Sequence, residues 1–169
     1  MATAATWSKL RYFKKNSSYD KWGDPDAIFD KHLFRLDDFR HWIGTAIYIN
    51  HGVKTSGHSQ KSYHYVQNGA CATDVVIPGY GADMFQLILD ATRFGFTGIG
   101  YYPHWQFKGR RVGGLHLDSR PLKLGSDKTI EYSHSRWMGV MIEGVQQYVA
   151  LTTENLKTYA NFEQGKVLP

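Results

Sequence analysis

The segment Gly113 to Pro121, "GGLHLDSRP", decides how the chain is read. Apolar and polar residues alternate through Leu115, His116, Leu117 and Asp118, which is the period of a half-buried β-strand. Leu115 and Leu117 then enter a core, and His116 and Asp118 share the opposite face. An imidazole and a carboxylate side by side on one strand are the start of a chemical site. What else converges on that face decides what kind of site it is.

A second strand is read in "ACATDVVI", residues 70–77. There Asp74 shares a face with Ala70, Ala72 and Val76, and the small side chains leave space beside its carboxylate. Cys71 points the other way and is expected to be a core thiol. The polar loop ahead of this strand carries His64, and the whole stretch Ser62 to Asp74 reads "SYHYVQNGACATD". His64, Asp74 and His116 together offer two imidazoles and one carboxylate. On zinc this leaves a fourth position open, the coordination of a catalytic rather than a structural ion. Such an ion lowers the pKa of a bound water and polarises a carbonyl oxygen. The chain has eight histidines, so spacing alone does not single out these two.

Outward from these strands the sequence predicts an α+β domain spanning residues 1–169, with a mainly antiparallel sheet flanked by helices. Asp24 and Pro25 read as a helix start, apolar residues recur from Ile28 to Ile43, and Gly44 reads as the stop. Further strands are expected at 45–50, at "FTGIGYY" and at "QQYVALT", and a short helix at 82–93. "PHWQFKGRRVG" between Tyr102 and Gly114 is expected to be an exposed loop, and Thr153 to cap a last helix reaching about Phe162.

Composition narrows the function. At 42% hydrophobic and 15% aromatic residues the chain has enough for a core. No apolar run reaches the ~18 residues of a membrane span. The N-terminal stretch lacks the pattern of a signal peptide, so synthesis in the cytoplasm is expected. The single cysteine excludes a disulfide framework and a cysteine-rich zinc ribbon. A net charge of +5 favours anionic partners such as bacterial cell wall. No dense basic block points to nucleic acid, and none is expected as a partner.

"SYHYVQNGACATD" resembles the Ser-x-His…Gly-x-Ala-x-Asp signature of the M15 peptidases, the D-Ala-D-Ala carboxypeptidase and endolysin family. "GIGYYP", "GGLHLDSRP" and "RWMG", in that order, resemble the later block of one branch of that family. The resemblance spans about residues 25–137. It implies a hedgehog/DD-peptidase-like fold holding one Zn2+ on His64, Asp74 and His116. It implies hydrolysis of a peptide bond in the peptidoglycan stem peptide, at the bacterial cell wall or as part of a phage particle among its proteins. The chain departs from the pattern at three points. Nine residues rather than six separate His64 from Asp74, so "VQN" or a neighbouring triplet reads as an insertion, with His58 as a reserve ligand. Gly113 stands where many members carry an acidic catalytic base. Lys54 is the only cation where an arginine usually follows the first strand.

With Gly113 in that place, the proton carrier must be another group. Asp118 is the first candidate, with roles as base, as a carboxylate orienting a ligand histidine, or as plain structure all open. His104 is the second, as an exposed loop residue. Ser62, Tyr102 and Arg120 are candidate substrate contacts, and Arg120 could instead pair with Asp118. The missing acid also admits a non-catalytic wall-binding or virion structural module on the same fold.

Overall fold

In the computed structural model the alternation at 114–118 becomes an inner strand of a six-stranded sheet. The structure describes residues 1–56, 61–80, 84–121 and 135–160, together with the backbone of 123–124, 130–131, 162–163 and 166–167. In chain order the elements are α1 (Ala4–Ser8), α2 (Asp30–Ile43), β1 (Tyr48–His51), β2 (Ala72–Val76), α3 (Met84–Arg93) and β3 (Gly98–Tyr102). Then come β4 (Gln106–Phe107), β5 (Arg110–Arg111), β6 (Gly114–Asp118), β7 (Lys123–Leu124) and β8 (Ile130–Glu131). The chain continues with β9 (Ser135–Ile142), β10 (Val145–Ala150), α4 (Thr153–Ala160), β11 (Phe162–Glu163) and β12 (Lys166–Val167). The sheet order is β1-β2-β6-β3-β9-β10. Every pairing in it is antiparallel except β3 with β9. The chain is thus α+β with a mostly antiparallel sheet and four α-helices among the described residues. No helix among them is long and apolar enough to cross a membrane.

One face of the sheet is the core. Leu115 and Leu117 are fully buried there with Ile49, Val75 and Ile99. Leu33, Leu36 and Phe39 of α2 and Leu87, Ile88 and Ala91 of α3 pack into the same cluster. Each buried leucine contributes about 1.5–3 kcal/mol. The other face carries the polar members of the alternation.

The helix read from Asp24 begins six residues later, at Asp30. The Asp24 carboxylate accepts the amides of Asp26 and Ala27 (3.1 and 3.3 Å), which closes a turn instead. The Phe29 amide then bonds to the carbonyl of Ala70 (3.0 Å), so the helix starts only after the chain has crossed the entry to β2. Gly44 ends it as expected, in the left-handed region at φ 63°. The strand read at 45–50 is displaced to 48–51, and a register shift between Ile49 and His51 sets His51 opposite Asp74. The segment read as an exposed loop folds into the β4–β5 hairpin. Its two-residue turn uses positive φ at Lys108 (49°) and Gly109 (76°), the twist that suits a tight hairpin.

Further elements were not expected: α1, the eight-residue β9, and the two-residue strands β7, β8, β11 and β12, with β11 standing where the last helix was read to end. α1 is closed by a capping box between Thr3 and Thr6. Thr152, rather than Thr153, caps α4 by accepting the Asn155 amide at 3.1 Å. His58, residues 82–83 at the expected start of α3, and residue 161 lie outside the described residues.

Candidate metal centre

Strand register brings the two inner ligands together. Asp74 and His116 are directly opposed across β2 and β6. His64 reaches them from the loop before β2. The Cys71 amide bonds to the Tyr63 carbonyl (3.0 Å) and the Lys54 amide to the His64 carbonyl (3.0 Å), which tie that loop to its neighbours. The triplet "VQN" forms a 3-10 turn at Val66–Asn68, followed by Gly69 and Ala70 with positive φ. The segment between His64 and Asp74 folds through that compact turn ahead of the strand.

His64 Nε2, Asp74 Oδ1 and His116 Nδ1 form a triangle with sides of 3.1, 3.1 and 2.9 Å. All three residues are buried. The distal ring nitrogens are already engaged. His64 Nδ1 lies 2.6 Å from the carbonyl oxygen of Gly52, which can only accept, so Nδ1 carries the hydrogen. His116 Nε2 lies 3.1 Å from Asp118 Oδ2. With those two nitrogens donating, three lone pairs converge on one point with no hydrogen between them. A proton or a metal cation is what such an arrangement lacks. The donor set fits a metal ion. Ligands ~2.0–2.1 Å from a tetrahedral ion stand about 3.3 Å apart, within a few tenths of an ångström of the observed triangle.

Electrostatics agree with that fit. Burial alone would raise the Asp74 carboxyl, but hydrogen bonds from His116 and His64 outweigh it and hold its pKa well below the usual range. Burial likewise opposes charge on His116, yet Asp118 and Asp74 push it up to about 9. The centre attracts positive charge.

Asp118 is fully buried behind the His116 ring, on the side away from the triangle. Its oxygens also accept Arg120 Nε (2.8 and 3.0 Å) and Nη2. This is the place of a carboxylate that fixes a ligand histidine's ring and tautomer. The pairing with Arg120 left open by the sequence is formed. Gly98 makes room for that carboxylate, since a Cβ there would collide with it. Gly100 does the same for the indole of Trp137, whose ring stands 5.0 Å from that of His116.

The triangle opens into a cavity of about 650 Å³. Ser62, Tyr102 and Arg120 all line it. Ser62 Oγ also accepts the His64 amide at 3.3 Å. His104 is not brought to this cavity. It lines a separate one of about 340 Å³ with Arg111, Met141 and Tyr159. The turn after β3, closed by the Trp105 amide on the Tyr102 carbonyl (3.3 Å), stacks Trp105 on Tyr102 at 4.2 Å and carries His104 past the other side.

The cavity also holds His51, Lys54, Tyr63, Trp137, Gln146 and Tyr148, to which the sequence reading gave no role in the site. His51 Nδ1 is 3.8 Å from Asp74 Oδ2, and the side chain is half exposed. Burial and nearby Lys54 lower its pKa, so its ring favours the neutral form. The bulge in β1 that places His51 has no sequence signal. Trp137 sits in the "RWMG" block and was visible there as a match without a role.

Compared with protein-family models, curated proteins and solved structures, the chain matches none.

Proposed function

We propose that the chain is a zinc-dependent peptidase of hedgehog/DD-peptidase type that hydrolyses a peptide bond in bacterial peptidoglycan. The observation that carries this reading is the buried His64–Asp74–His116 triangle, with both distal ring nitrogens bonded, at the floor of an open cavity. A mixed nitrogen and oxygen set of three suits zinc, whereas calcium and magnesium prefer oxygen ligands. The order of the two motif blocks supplies the peptidase class. When bound, zinc supplies Lewis acidity for a carbonyl oxygen and activates a water.

The chain's own residues divide the remaining work. Gly52 and Asp118 hold His64 and His116 in their ligating tautomers. Asp118 is spent on His116 and Arg120, so proton transfer falls to His51, the neutral and solvent-reached imidazole beside Asp74. Burial raises the Tyr102 phenol, which keeps its proton and presents a neutral hydroxyl to the cavity.

One observation favours a second reading. Gly113 occupies the place of an acidic base, and Asp74 is the only carboxylate lining the cavity among the described residues. A wall-binding or virion structural module on the same zinc-holding fold fits that. Mass-spectrometric digestion of purified peptidoglycan by the zinc-loaded protein, with and without chelator, separates the two. Chelator-sensitive peptide cleavage supports the peptidase. Intact stem peptides across several wall types, from protein holding one zinc, support the module.

A further inference from the structure

The cavity carries cationic side chains beside the metal centre. Lys54, Lys61 and Arg120 line it, with Asp74 the one carboxylate among the described lining residues. Arg120 is held from several sides. Its guanidinium carbon lies 4.4 Å from the Tyr63 ring centre and 5.8 Å from that of Trp137. Asp118 fastens its Nε and Nη2 from behind. A guanidinium has five N–H donors in a fixed planar fork. The bonds to Asp118 use Nε–H and one hydrogen of Nη2, and no described residue accepts from Nη1. The side chain is 19% exposed and lines the cavity, and this edge of its fork is not engaged by Asp118.

From this arrangement we infer that Arg120 is a carboxylate anchor of the cavity, selecting peptides with a free carboxylate near the bond that lies over the metal centre. The proposal takes its peptide ligand from the peptidase reading. Asp118 and the two aromatic rings hold the guanidinium in place. A pre-organised fork loses little side-chain freedom on binding and pairs bidentately with a carboxylate. Trp137 touches both His116 and Arg120, at 5.0 and 5.8 Å, which puts the anchor close to the metal triangle. Across that one indole the reach is on the order of two residues of extended peptide, at ~3.3 Å each. The carboxylate is therefore that of a chain terminus or an acidic side chain one or two residues from the bond over the metal. Lys54 and Lys61 also line the cavity but lack the fork geometry.

The test compares acetyl-Ala-Ala with its C-terminal amide, in L,L and D,D forms, with inorganic phosphate as a third ligand. Binding to the full chain is followed by the NMR signals of the Arg120 Nε–H and the Trp137 indole N–H, in chelator and with zinc added. The expected result is that one free acid binds about ten- to hundredfold more tightly than its amide, shifts the Arg120 signal, and does so in chelator as well as with zinc. Arg120→Gln abolishes the preference, and Arg120→Lys, which keeps the charge and loses the fork, leaves at most a few-fold. Equal binding of acid and amide, or no binding of either, overturns the proposal. So does a preference that exists only with zinc, which would put the carboxylate on the metal. Phosphate binding more tightly than the acid overturns the carboxylate assignment. The outcome is separable from the peptidase reading. Peptidoglycan cleavage without an acid preference sinks only the anchor. An acid preference lost in Arg120→Gln, in protein that cleaves nothing, supports the anchor and sinks the peptidase.

Discussion

Replacing Asp118 by asparagine keeps the shape of the side chain and removes its charge. In the structure Oδ1 accepts the Arg120 amide and Nε, while Oδ2 accepts His116 Nε2 together with Arg120 Nε and Nη2. Asparagine has one acceptor oxygen and one NH2 group. Whichever way it is turned, the NH2 faces a donor, either the His116 ring or the Arg120 fork. A lost hydrogen bond to a charged group costs about 1.5–3 kcal/mol, and breaking a buried ion pair about 3–5 kcal/mol. The two overlap, and Arg120 is partly exposed and recovers some hydration, so ~3 kcal/mol is expected. For a domain of this size that lowers the melting midpoint by roughly 6–12 °C. Loss of the histidine's orienting partner lowers zinc affinity about 10–100-fold. Thermal melts and competition with a chromophoric chelator read the two effects separately. A variant that melts within ~2 °C of the parent and holds zinc equally tightly would refute the argument that Asp118 positions His116. A variant that keeps fold and zinc and loses only turnover would instead place Asp118 in proton transfer.

Three other outcomes follow from the same geometry. His116→Ala leaves two ligands and is expected to drop bound zinc from one per chain to a trace on equilibrium dialysis; full occupancy would show that the triangle is not the metal centre. Gly98→Ala drives a methyl group into the Asp118 carboxylate and should reproduce the zinc loss of Asp118→Asn, whereas Gly144→Ala, with nothing within 4 Å of the new Cβ, costs only backbone strain of about 1–2 kcal/mol and leaves zinc binding intact. His32 is fully buried between Ser119 (2.9 Å) and Thr73 (3.1 Å), and burial lowers its pKa to about 3. Its folded pKa lies below the unfolded value of ~6.5, so its contribution is complete above about pH 6.5 and is lost as the pH falls towards 3. His32→Gln should therefore flatten the fall in melting midpoint between pH 6.5 and 4, and an unchanged slope would remove His32 as the cause.

The local part of this molecule was legible. Alternation at 114–118 and 70–77 gave the two inner strands and put His116 and Asp74 on the faces the structure shows. Gly44 marked a helix end because only its left-handed φ was needed there. What was not legible depends on contacts distant in sequence. β9 shows no clear period of two, since "SRWMGVMI" carries apolar side chains on both faces: Met138 and Val140 enter the core, while Trp137 stands beside His116. Without β9, Trp137 had no place beside His116. His51 enters through a register shift in β1, and register is a property of two strands, not of one. His104 was expected in an exposed loop; the turn after β3 carries it away from the cavity and leads into the β4–β5 hairpin, which closes on a Lys-Gly turn rather than the more familiar Asn-Gly.

The glycines opposite the site have a consequence for how the sheet assembles. Across β3 and β6 the polar-face partners are Gly98 with Asp118, Gly100 with His116, and Tyr102 with Gly114. Each couple matches one large side chain with none. A slide of one residue would invert both faces and is rejected by the leucines. A slide of two residues would keep Leu115, Leu117 and Ile99 on the apolar side, and the hydrophobic pattern alone would accept it. It would also set His116 against Tyr102, or Asp118 against Phe96. The size code of the two strands thus works as a key with a single fitting position, and that position is the one in which Asp118 supports His116 and His116 meets Asp74.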